Sequence, residues 1–567
     1  MNVLFPQHLT AKDLLISESF DCFQAFGNGR YQKRLVLLLA LSVFLSAGHI
    51  HIVPMIVTGV DHWCKQPSHS NISEASWKNT AIPLGADGQH SQCDMYEMPE
   101  EPNSTATVPC QEWEYEERSP GESVVNVWDL VCWRKPLIVL MIVVQNIGAS
   151  LYVVAAGLAA DRIGRKPVML SAMAVLLLST AALCLCTAYS TFVTALFFVT
   201  GSGFAALGVS SVLLFEVTTH ENRPAHNIFA GTFGLLAMEF WRATVEYNEL
   251  GWKLKLVHFL LPTVLTLPSA CIVSETPRWL VSRLKLRHAE VVMTTAANVN
   301  HFPLANTACL LDKLKNNIAA DVEILPDSDK DLLARPSIQK HAKTMFAATF
   351  TALFGYYSIT VSPLWKNNLT LGWVSFGAVI LGYIALITLI RKMILLAIII
   401  GIFTLLFGLH CLLSITITTA PLVVSEALLV ITKSCYYAAA VLVGVYTMEL
   451  FPTAVRCAAL CVTIGGGVLG AGSSSVTVVL NDSGREDLAF ALPACLFFGS
   501  LLALRRLPRT TTVECAPEAA STVSSVSKKT IDRMKNTLQG GIYVQKKAKK
   551  GIAGTKKPPV GSRPEQR

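Results

Sequence analysis

Three charged residues stand inside long apolar runs of this sequence. Glu239 and Arg242 interrupt one run in "MEFWRATVEY", and Lys433 lies within another. A charge inside a membrane-embedded segment is costly and usually serves a function, so these residues are candidates for binding a substrate. Each has an alternative. Glu239 and Arg242 are three residues apart and can neutralise each other within one helix, and Lys433 can pair with an acid such as Glu426.

A second set of charges marks the ends of apolar runs and recurs along the chain. "EVTTHENR" places Glu216 and Arg223 seven residues apart, and "ELFPTAVR" repeats that spacing with Glu449 and Arg456. Weak internal repeats of this kind are typical of transporters whose substrate lies between two halves. The repeat therefore predicts two matched halves with charged residues at equivalent helix ends.

The stretch "DRIGRKP" joins two apolar runs and holds Asp161, Arg165 and Lys166. We expect Asp161 to pair with a base of a neighbouring loop, and Arg165 with Glu216 or Glu449. Exposed pairs contribute only about 0–1 kcal/mol each, but a partly shielded network can bias a conformational equilibrium of a few kcal/mol. These residues are thus predicted to close and release the helix ends. The alternative is that the bases only set membrane orientation.

Helices that cross a membrane must position these charges. The chain has 567 residues, 52% of them hydrophobic and 15% charged, with a mean hydropathy of +0.46. A bilayer core of about 30 Å needs about 20 apolar residues per helix. The sequence predicts an all-α polytopic membrane protein with twelve spans. They are 35–59, 137–160, 168–188, 191–215, 228–246, 252–273, 344–361, 371–390, 393–415, 421–447, 457–480 and 488–507.

The loop 60–136 differs in character from the other loops. Between Cys93 and Glu122 it holds nine acids against one base, and it carries N-x-S/T acceptors at Asn71 and Asn103. Glycans and disulfides are typical of an extracellular face, whereas short basic loops are cytoplasmic. Both termini are therefore expected in the cytoplasm. Four cysteines predict two disulfides, with three connectivities open: Cys64, Cys93, Cys110 and Cys132.

The same features predict the domain boundaries. We expect an N-terminal segment, a first six-helix half that includes the large loop, a linker, a second six-helix half and a disordered basic tail. Their ranges are 1–34, 35–273, 274–343, 344–507 and 508–567.

Five short motifs, taken in order, resemble a known family. "DRIGRKP" is similar to the loop signature of the major facilitator superfamily, and "SETPRWLVS" (274–282) resembles a stretch shared by organic ion transporters and sugar porters. "AFGNGRYQ" (25–32), the pair "DHWC" (61–64) and "WDLVC" (128–132), and "YTMELFPTAVR" (446–456) resemble the solute carrier 22 organic cation, anion and zwitterion transporters. The resemblance adds Glu275 and Arg278 to the predicted gating residues.

The resemblance implies a major facilitator fold and transport of small organic ions across the plasma membrane by alternating access. It implies facilitated diffusion, exchange or secondary transport, with no cofactor and no enzyme activity. Tyr356 and Tyr357 match a tyrosine pair in the seventh helix of the anion carriers, and Tyr436 precedes an aromatic site of the tenth. Gln145 is polar enough to line a substrate path or to bond a neighbouring helix.

The chain departs from the family where the substrate's charge is usually selected. Val468 stands where helix eleven carries a charge, and span 371–390 has no charged residue. The sign of the substrate therefore stays open among cations, anions, zwitterions such as carnitine-like molecules, and amphiphiles. The worn second half also leaves a second hypothesis, a transporter-shaped receptor or scaffold that does not transport.

Other partner classes are less well supported. His49 and His51 do not share a helix face, and the sequence shows neither zinc-ligand spacing nor a phosphate-binding loop. No metal and no nucleic acid are expected. The lysines of "KKAKK" can contact anionic membrane lipids, and the large loop is a candidate surface for oligomerisation.

Overall fold

Twelve long helices make up most of the part of the protein that the structure describes. The computed structural model describes residues 25–67, 73–85, 89–99, 106–116, 123–219, 222–247, 251–283, 285–304, 335–360, 362 and 369–508. The long helices are α1 (Arg30–Ile50), α2 (Pro136–Ile163), α3 (Arg165–Leu185), α4 (Tyr189–Val217), α5 (Arg223–Tyr247), α6 (Trp252–Ile272), α7 (Pro336–Thr360), α8 (Leu369–Ile390), α9 (Leu395–Thr419), α10 (Leu422–Leu450), α11 (Arg456–Ser473) and α12 (Glu486–Leu504).

Each predicted span falls on one of these helices, so the all-α polytopic architecture is confirmed. Within the described ranges, ten helices are long and apolar enough to cross a membrane. The other two, α5 and α7, contain more polar residues but pack against neighbouring long helices. Two predicted spans are broken. The first pauses at His51 before a short helix, Ile52–Ile56, and the eleventh breaks at Ser474 before Ser475–Asp482.

The packing of the helices repeats between the first six and the last six. In the first set α1 packs on α4, α5 and α6, while α4 packs on α2 and α3. In the second set α7 packs on α10, α11 and α12, while α10 packs on α8 and α9. The two sets meet where α2 contacts α11 and where α5 contacts α8 and α10. This arrangement is the internal symmetry that the charge spacing predicts.

The turn between α2 and α3 needs a glycine. Gly164 has a φ of 118°, which residues with a Cβ rarely adopt. The end of the bundle that carries this turn is called the latch face below. It also carries two short helices, Pro277–Ser282 and Leu286–Val299.

The large loop covers the opposite end of the bundle, called the loop face. Strand β1 (His62–Cys64) pairs antiparallel with β4 (Trp113–Tyr115), and β2 (Asp94–Tyr96) pairs with β3 (Thr107–Pro109). Short helices at Glu74–Ala81 and Val124–Val127 flank the strands. Of the three connectivities, the structure has Cys64–Cys110 and Cys93–Cys132. The predicted glycan acceptors Asn71 and Asn103 and the tail 509–567 lie outside the described residues.

Candidate functional site

A cavity of about 190 Å³ lies between the two sets of helices. Helices α1, α4, α5, α7, α10 and α11 all contribute to its wall. Aliphatic and aromatic side chains predominate, with polar atoms from a few residues such as Ser46, Ser211 and Asn227. A concave, mostly apolar site with few polar groups is typical of small-molecule binding. The tyrosines at 356, 357, 436 and 437 line it.

A group of polar residues from three helices borders this cavity on the side of the loop face. We call it the central cluster. It consists of Glu239 and Arg242 on α5, Tyr356 on α7, and Lys433 and Tyr437 on α10. Glu239 stands eight residues before the end of α5, about 12 Å at a rise of 1.5 Å per residue. The cluster therefore lies well below the loop face.

The Glu239 carboxylate is the centre of this cluster. Its Oε1 atom accepts hydrogen bonds from the hydroxyls of Tyr356 at 2.8 Å and Tyr437 at 2.6 Å. The same oxygen lies 3.2 Å from Lys433 Nζ, and Oε2 lies 3.0 Å from Arg242 Nη2. Glu239 therefore forms the predicted pair within its helix and also reaches two helices of the other half.

Of the two bases that pair with Glu239, Lys433 is the more deeply buried. Its side chain is 0% exposed, whereas those of Glu239 and Arg242 are 12% and 18% exposed. A buried ion pair contributes little net stability, but removing one member leaves a costly uncompensated charge. The partner found for Lys433 is thus an acid of the opposite half, which local spacing does not reveal.

His51 is a member of this region that the sequence analysis did not single out as a site residue. It stands at the break after α1, and its Nε2 atom lies 3.2 Å from the hydroxyl of Tyr357. Its ring packs on Tyr357 with centroids 4.8 Å apart. The signal in the sequence is a histidine inside the predicted apolar span 35–59. This contact also joins the two halves.

Two further predicted site residues are buried within one half. The Gln145 amide donates to the carbonyl oxygen of His49 and to Thr200 Oγ1, so it bonds neighbouring helices of the first half. Tyr436 lines the cavity, and its hydroxyl is hydrogen-bonded to His410 on α9. Of the two, Tyr436 alone is placed to contact a molecule in the cavity.

At the latch face, four charged residues form a buried network, called the latch network below. Asp161 and Arg165 come from the turn between α2 and α3, Glu216 from the end of α4, and Arg456 from the start of α11. Arg165 Nη2 lies 3.0 Å from Asp161 Oδ1 and 3.3 Å from Glu216 Oε1. Arg456 Nη1 lies 3.2 Å from the same oxygen of Glu216. Of the two acids proposed for Arg165, the structure selects Glu216. The expectation that Asp161 pairs with a base of a neighbouring loop is wrong, because its carboxylate pairs with Arg165, four residues away.

Backbone groups complete this network. The Asp161 carboxylate accepts the N–H groups of Cys457 and Ala458 in the first turn of α11, at 3.3 and 2.7 Å. A helix N-terminus favours a negative charge because its first N–H groups have no helical partner. Arg165 also donates to the carbonyl oxygen of Thr453, at 2.7 Å. These bonds join the first half to the second over nearly 300 residues of sequence.

Residues of the stretch "SETPRWLVS" contact the latch network and the turn beside it. Thr276 Oγ1 donates to Glu216 at 2.6 Å, and the Glu275 carboxylate accepts the backbone N–H of Lys166 at 3.0 Å. Burial raises the pKa of Glu275 above its usual value, although the N–H groups of Thr276 and Lys166 oppose the shift. Glu275 therefore holds the α2–α3 turn against the short helix that follows α6.

The remaining predicted gating residues lie nearby. Arg278 is buried at 2% exposed. Arg223 donates to the carbonyl oxygen of Thr218 and interacts electrostatically with Glu449. Arg223 and Glu449 come from opposite halves, as Glu216 and Arg456 do.

Among the residues that the structure describes, one group has ligand atoms close enough together to hold a metal ion, namely His62, Cys93 and Cys132. The two cysteines form a disulfide and so have no thiolate to offer a metal. We therefore assign no metal to this group.

Comparison with known proteins finds a matching family of transporters and relatives from one solute carrier family. The family described as "Sugar (and other) transporter" matches residues 90–479. The chain is 28% identical over 490 residues to solute carrier family 22 member 7 of Mus musculus, covering 80% of this chain and 88% of that protein. The chain is 27% identical over 493 residues to the Homo sapiens protein of that name, covering 81% of this chain and 87% of that protein.

Solved structures with a similar fold include two of the xylose transporter XylE. The proton:xylose symporter bound to 6-bromo-6-deoxy-D-glucose has a TM-score of 0.57 at 14% identity, covering 85% of this chain and 97% of that chain. The partially occluded inward open form from E. coli has a TM-score of 0.54 at 14% identity, covering 85% and 99%. At this identity the likeness concerns the fold alone.

Proposed function

Since the chain belongs to the sugar (and other) transporter family and, by its relatives, is a divergent member of solute carrier family 22, we propose that it moves small organic ions across the plasma membrane by alternating access. It is a multi-pass membrane protein that transports organic substrates, and it is not an enzyme. The substrate is a small molecule. Its charge, the membrane and the mechanism are the proposed part.

One observation carries the mechanism: contacts between the two halves are made on both sides of the central cavity. The latch network joins α2–α4 to α11 at one end, and the central cluster joins α5 to α7 and α10 at the other. Breaking one set while keeping the other opens the cavity to a single face. That is the requirement for transport without a continuous leak.

The proposed gating set at the latch face is Asp161, Arg165, Lys166, Glu216, Arg223, Glu275, Arg278, Glu449 and Arg456. The proposed substrate contacts are Glu239, Arg242, Tyr356, Tyr357, Lys433 and Tyr436, and we add His51. Gln145 stabilises the first half instead. The tyrosine rings offer flat surfaces for an apolar body, and Lys433 and Arg242 offer charge.

We place the loop face outside the cell and the latch face with both termini in the cytoplasm. The two disulfides support this orientation because they persist in oxidising compartments. An epitope on the tail should be reached by antibody only after cells are permeabilised. Labelling of the tail in intact cells would overturn the orientation.

The lysine-rich tail is proposed to contact anionic lipids, and the large loop is proposed as the surface of any oligomer. The relatives support a small-molecule partner, and contact with lipids and oligomerisation are proposed in addition to it.

Uptake into proteoliposomes tests the transport mechanism. A panel of labelled organic cations, anions and zwitterions should include substrates that accumulate with the native chain and not with Glu216→Gln. The relatives do not favour the alternative of a receptor that does not transport. Ligand binding without uptake of any panel member would nevertheless support that alternative and overturn ours.

A further inference from the structure

The central cluster brings two basic side chains to one acidic side chain. Lys433 and Arg242 are cationic and Glu239 is anionic, and the two bases lie 3.2 and 3.0 Å from its carboxylate oxygens. The same three residues are the charged side chains that act electrostatically on His51. An anionic group in the place of the Glu239 carboxylate would meet the same two bases, whereas a cation in that place would be repelled by them.

The Glu239 carboxylate already has the surroundings of a bound anion. It accepts two hydroxyl groups on one oxygen, lies 3.2 Å from a fully buried ammonium group and is paired with a guanidinium group. Charge-assisted hydrogen bonds from such groups are among the stronger ones in proteins. Three of these four partners would serve a substrate carboxylate equally well, namely Tyr356, Tyr437 and Lys433.

The cavity beside the cluster suits an apolar body attached to that anionic group. Tyr356 and Tyr437 line the cavity with their rings and donate to Glu239 with their hydroxyls. A flat apolar molecule in the cavity can therefore stack on the rings while its carboxylate reaches the hydroxyls and Lys433.

We propose that Glu239 is a tethered counter-anion: its carboxylate occupies the site for the anionic group of an organic carboxylate, which binds by displacing it from Lys433, Tyr356 and Tyr437. Glu239 then keeps Arg242, its partner on the same helix. The displacement breaks contacts between α5 and the second half, so binding and opening of the central cluster are linked. This inference rests on the proposed transport function and names the class of substrate.

A tethered anion lowers the apparent affinity for a free one. If Glu239 occupies the site nine-tenths of the time, the apparent dissociation constant rises about tenfold. Removing the charge of Glu239 should abolish this competition and leave the buried Lys433 without its acid. The Glu239→Gln variant should therefore bind an organic anion more tightly than the native chain.

Three probes share one flat ring and differ in charge: benzoate, benzamide and benzamidine. Binding of each to the purified full chain in detergent is measured by calorimetry and by the shift in Tm. We expect benzoate to bind Glu239→Gln at least about tenfold more tightly than the native chain, with no gain for benzamide or benzamidine. The double variant Glu239→Gln/Lys433→Gln should lose this gain, and Glu112→Gln, an acid on the exposed surface of the loop, should match the native chain.

Two results would overturn the proposal. One is benzamidine binding to the native chain that Glu239→Gln abolishes, since Glu239 would then be a cation site. The other is benzoate affinity that is the same, or undetectable, in all variants. If Glu239→Gln does not fold, Glu239→Asp takes its place, because its shorter side chain withdraws the carboxylate from Tyr437 and should give a smaller gain.

Uptake of labelled benzoate into proteoliposomes separates this inference from the transport proposal. The expected affinity pattern without any uptake would retain the tethered anion and reject transport. Uptake with unchanged affinity in Glu239→Gln would retain transport and reject the tethered anion.

Discussion

The latch network and the central cluster both join the two halves, but they differ in charge balance. Asp161 and Glu216 match Arg165 and Arg456, so the latch network is neutral. Its acids are further satisfied by backbone N–H groups of α11 and by Thr276. The central cluster has two bases for one acid and borders a cavity.

This difference assigns different tasks to the two regions. A neutral network that is buried and joined by several hydrogen bonds needs no ligand to stay closed. A cluster in which two bases share one carboxylate next to a cavity can exchange that carboxylate for one that belongs to a bound molecule. The latch face is thus closed by residues of the chain itself. Closing at the central cluster depends on whether the carboxylate there belongs to Glu239 or to a bound molecule.

The largest expected effect is at the shared acid of the latch network. Glu216→Gln leaves Arg165 and Arg456 facing each other while both are buried, and breaking a buried pair costs about 3–5 kcal/mol. The latch face should open, and the buried thiol of Cys457 should become accessible. The rate of its alkylation by a maleimide, read by mass spectrometry, measures this opening.

The matched control for this change is Glu112→Gln. Glu112 pairs with Lys65 at 2.9 Å, but the two side chains are 72% and 56% exposed. Exposed pairs contribute about 0–1 kcal/mol, so alkylation should stay at the native rate. An unchanged rate in Glu216→Gln as well would mean that the latch network is not what closes this face.

A second test concerns the space beside the latch network. Gly157 on α2 faces α11, where an added Cβ would lie 2.8 Å from Cys461 Sγ and 2.9 Å from the carbonyl oxygen of Cys457. Overpacking of this kind costs about 1–3 kcal/mol, so Gly157→Val should lower the Tm of the purified chain. Gly401→Val is the control, because nothing lies within 4 Å of its added Cβ. Equal Tm values for the two variants would show that the contact between α2 and α11 tolerates larger side chains.

A third change tests whether the central cluster tolerates loss of a donor. Tyr437→Phe removes a 2.6 Å hydrogen bond to Glu239, which keeps Tyr356, Lys433 and Arg242. We expect a loss of about 1.5 kcal/mol in the free energy of unfolding, at the low end for a bond to a charged group. Chemical denaturation measures it.

The control here is Tyr446→Phe, which removes a hydrogen bond to the backbone carbonyl of Pro508. A bond between neutral groups contributes about 0.5–1.5 kcal/mol. A larger loss for Tyr446→Phe than for Tyr437→Phe would contradict a charged bond to Glu239.

The smallest effect is expected from the pH dependence of Glu275. Burial raises the pKa of this carboxyl in the folded protein, so the folded chain holds its proton more tightly than the unfolded chain. The contribution of Glu275 to stability is then full below its unfolded pKa and is lost as pH rises through its folded pKa. As the pH is lowered towards the usual glutamate pKa of about 4.3, the Tm of the native chain should rise relative to that of Glu275→Gln. Parallel pH profiles would show that Glu275 is not strained by burial.

The sequence predicted the latch network better than the central cluster, for a physical reason. Recurring Glu and Arg residues at helix ends, with a glycine turn between, limit which charges can meet, so Arg165 had only two candidate acids. The choice of Glu216 depends on how α3 and α4 pack, and the role of Asp161 at the start of α11 depends on contacts between the halves. Neither is encoded in local spacing.

The central cluster depends almost entirely on long-range packing. Glu239, Lys433, Tyr356 and Tyr436 could be chosen by type, because polar groups in apolar spans are few. Their mutual contacts could not, since Lys433 meets an acid nearly 200 residues away. The role of His51 was missed because its partner, Tyr357, lies in the other half.

The disulfide-bonded loop is attached to one half at several points. Ser123 Oγ bonds the backbone of Ile56 and Thr58 just after α1, and Trp128 Nε1 donates to the carbonyl oxygen of Thr187 between α3 and α4. Because two disulfides cross-link it, the loop should move as one rigid body with the first six helices. A binder raised against it would then report, from the loop face, how far those helices tilt in each turnover, without entering the substrate path.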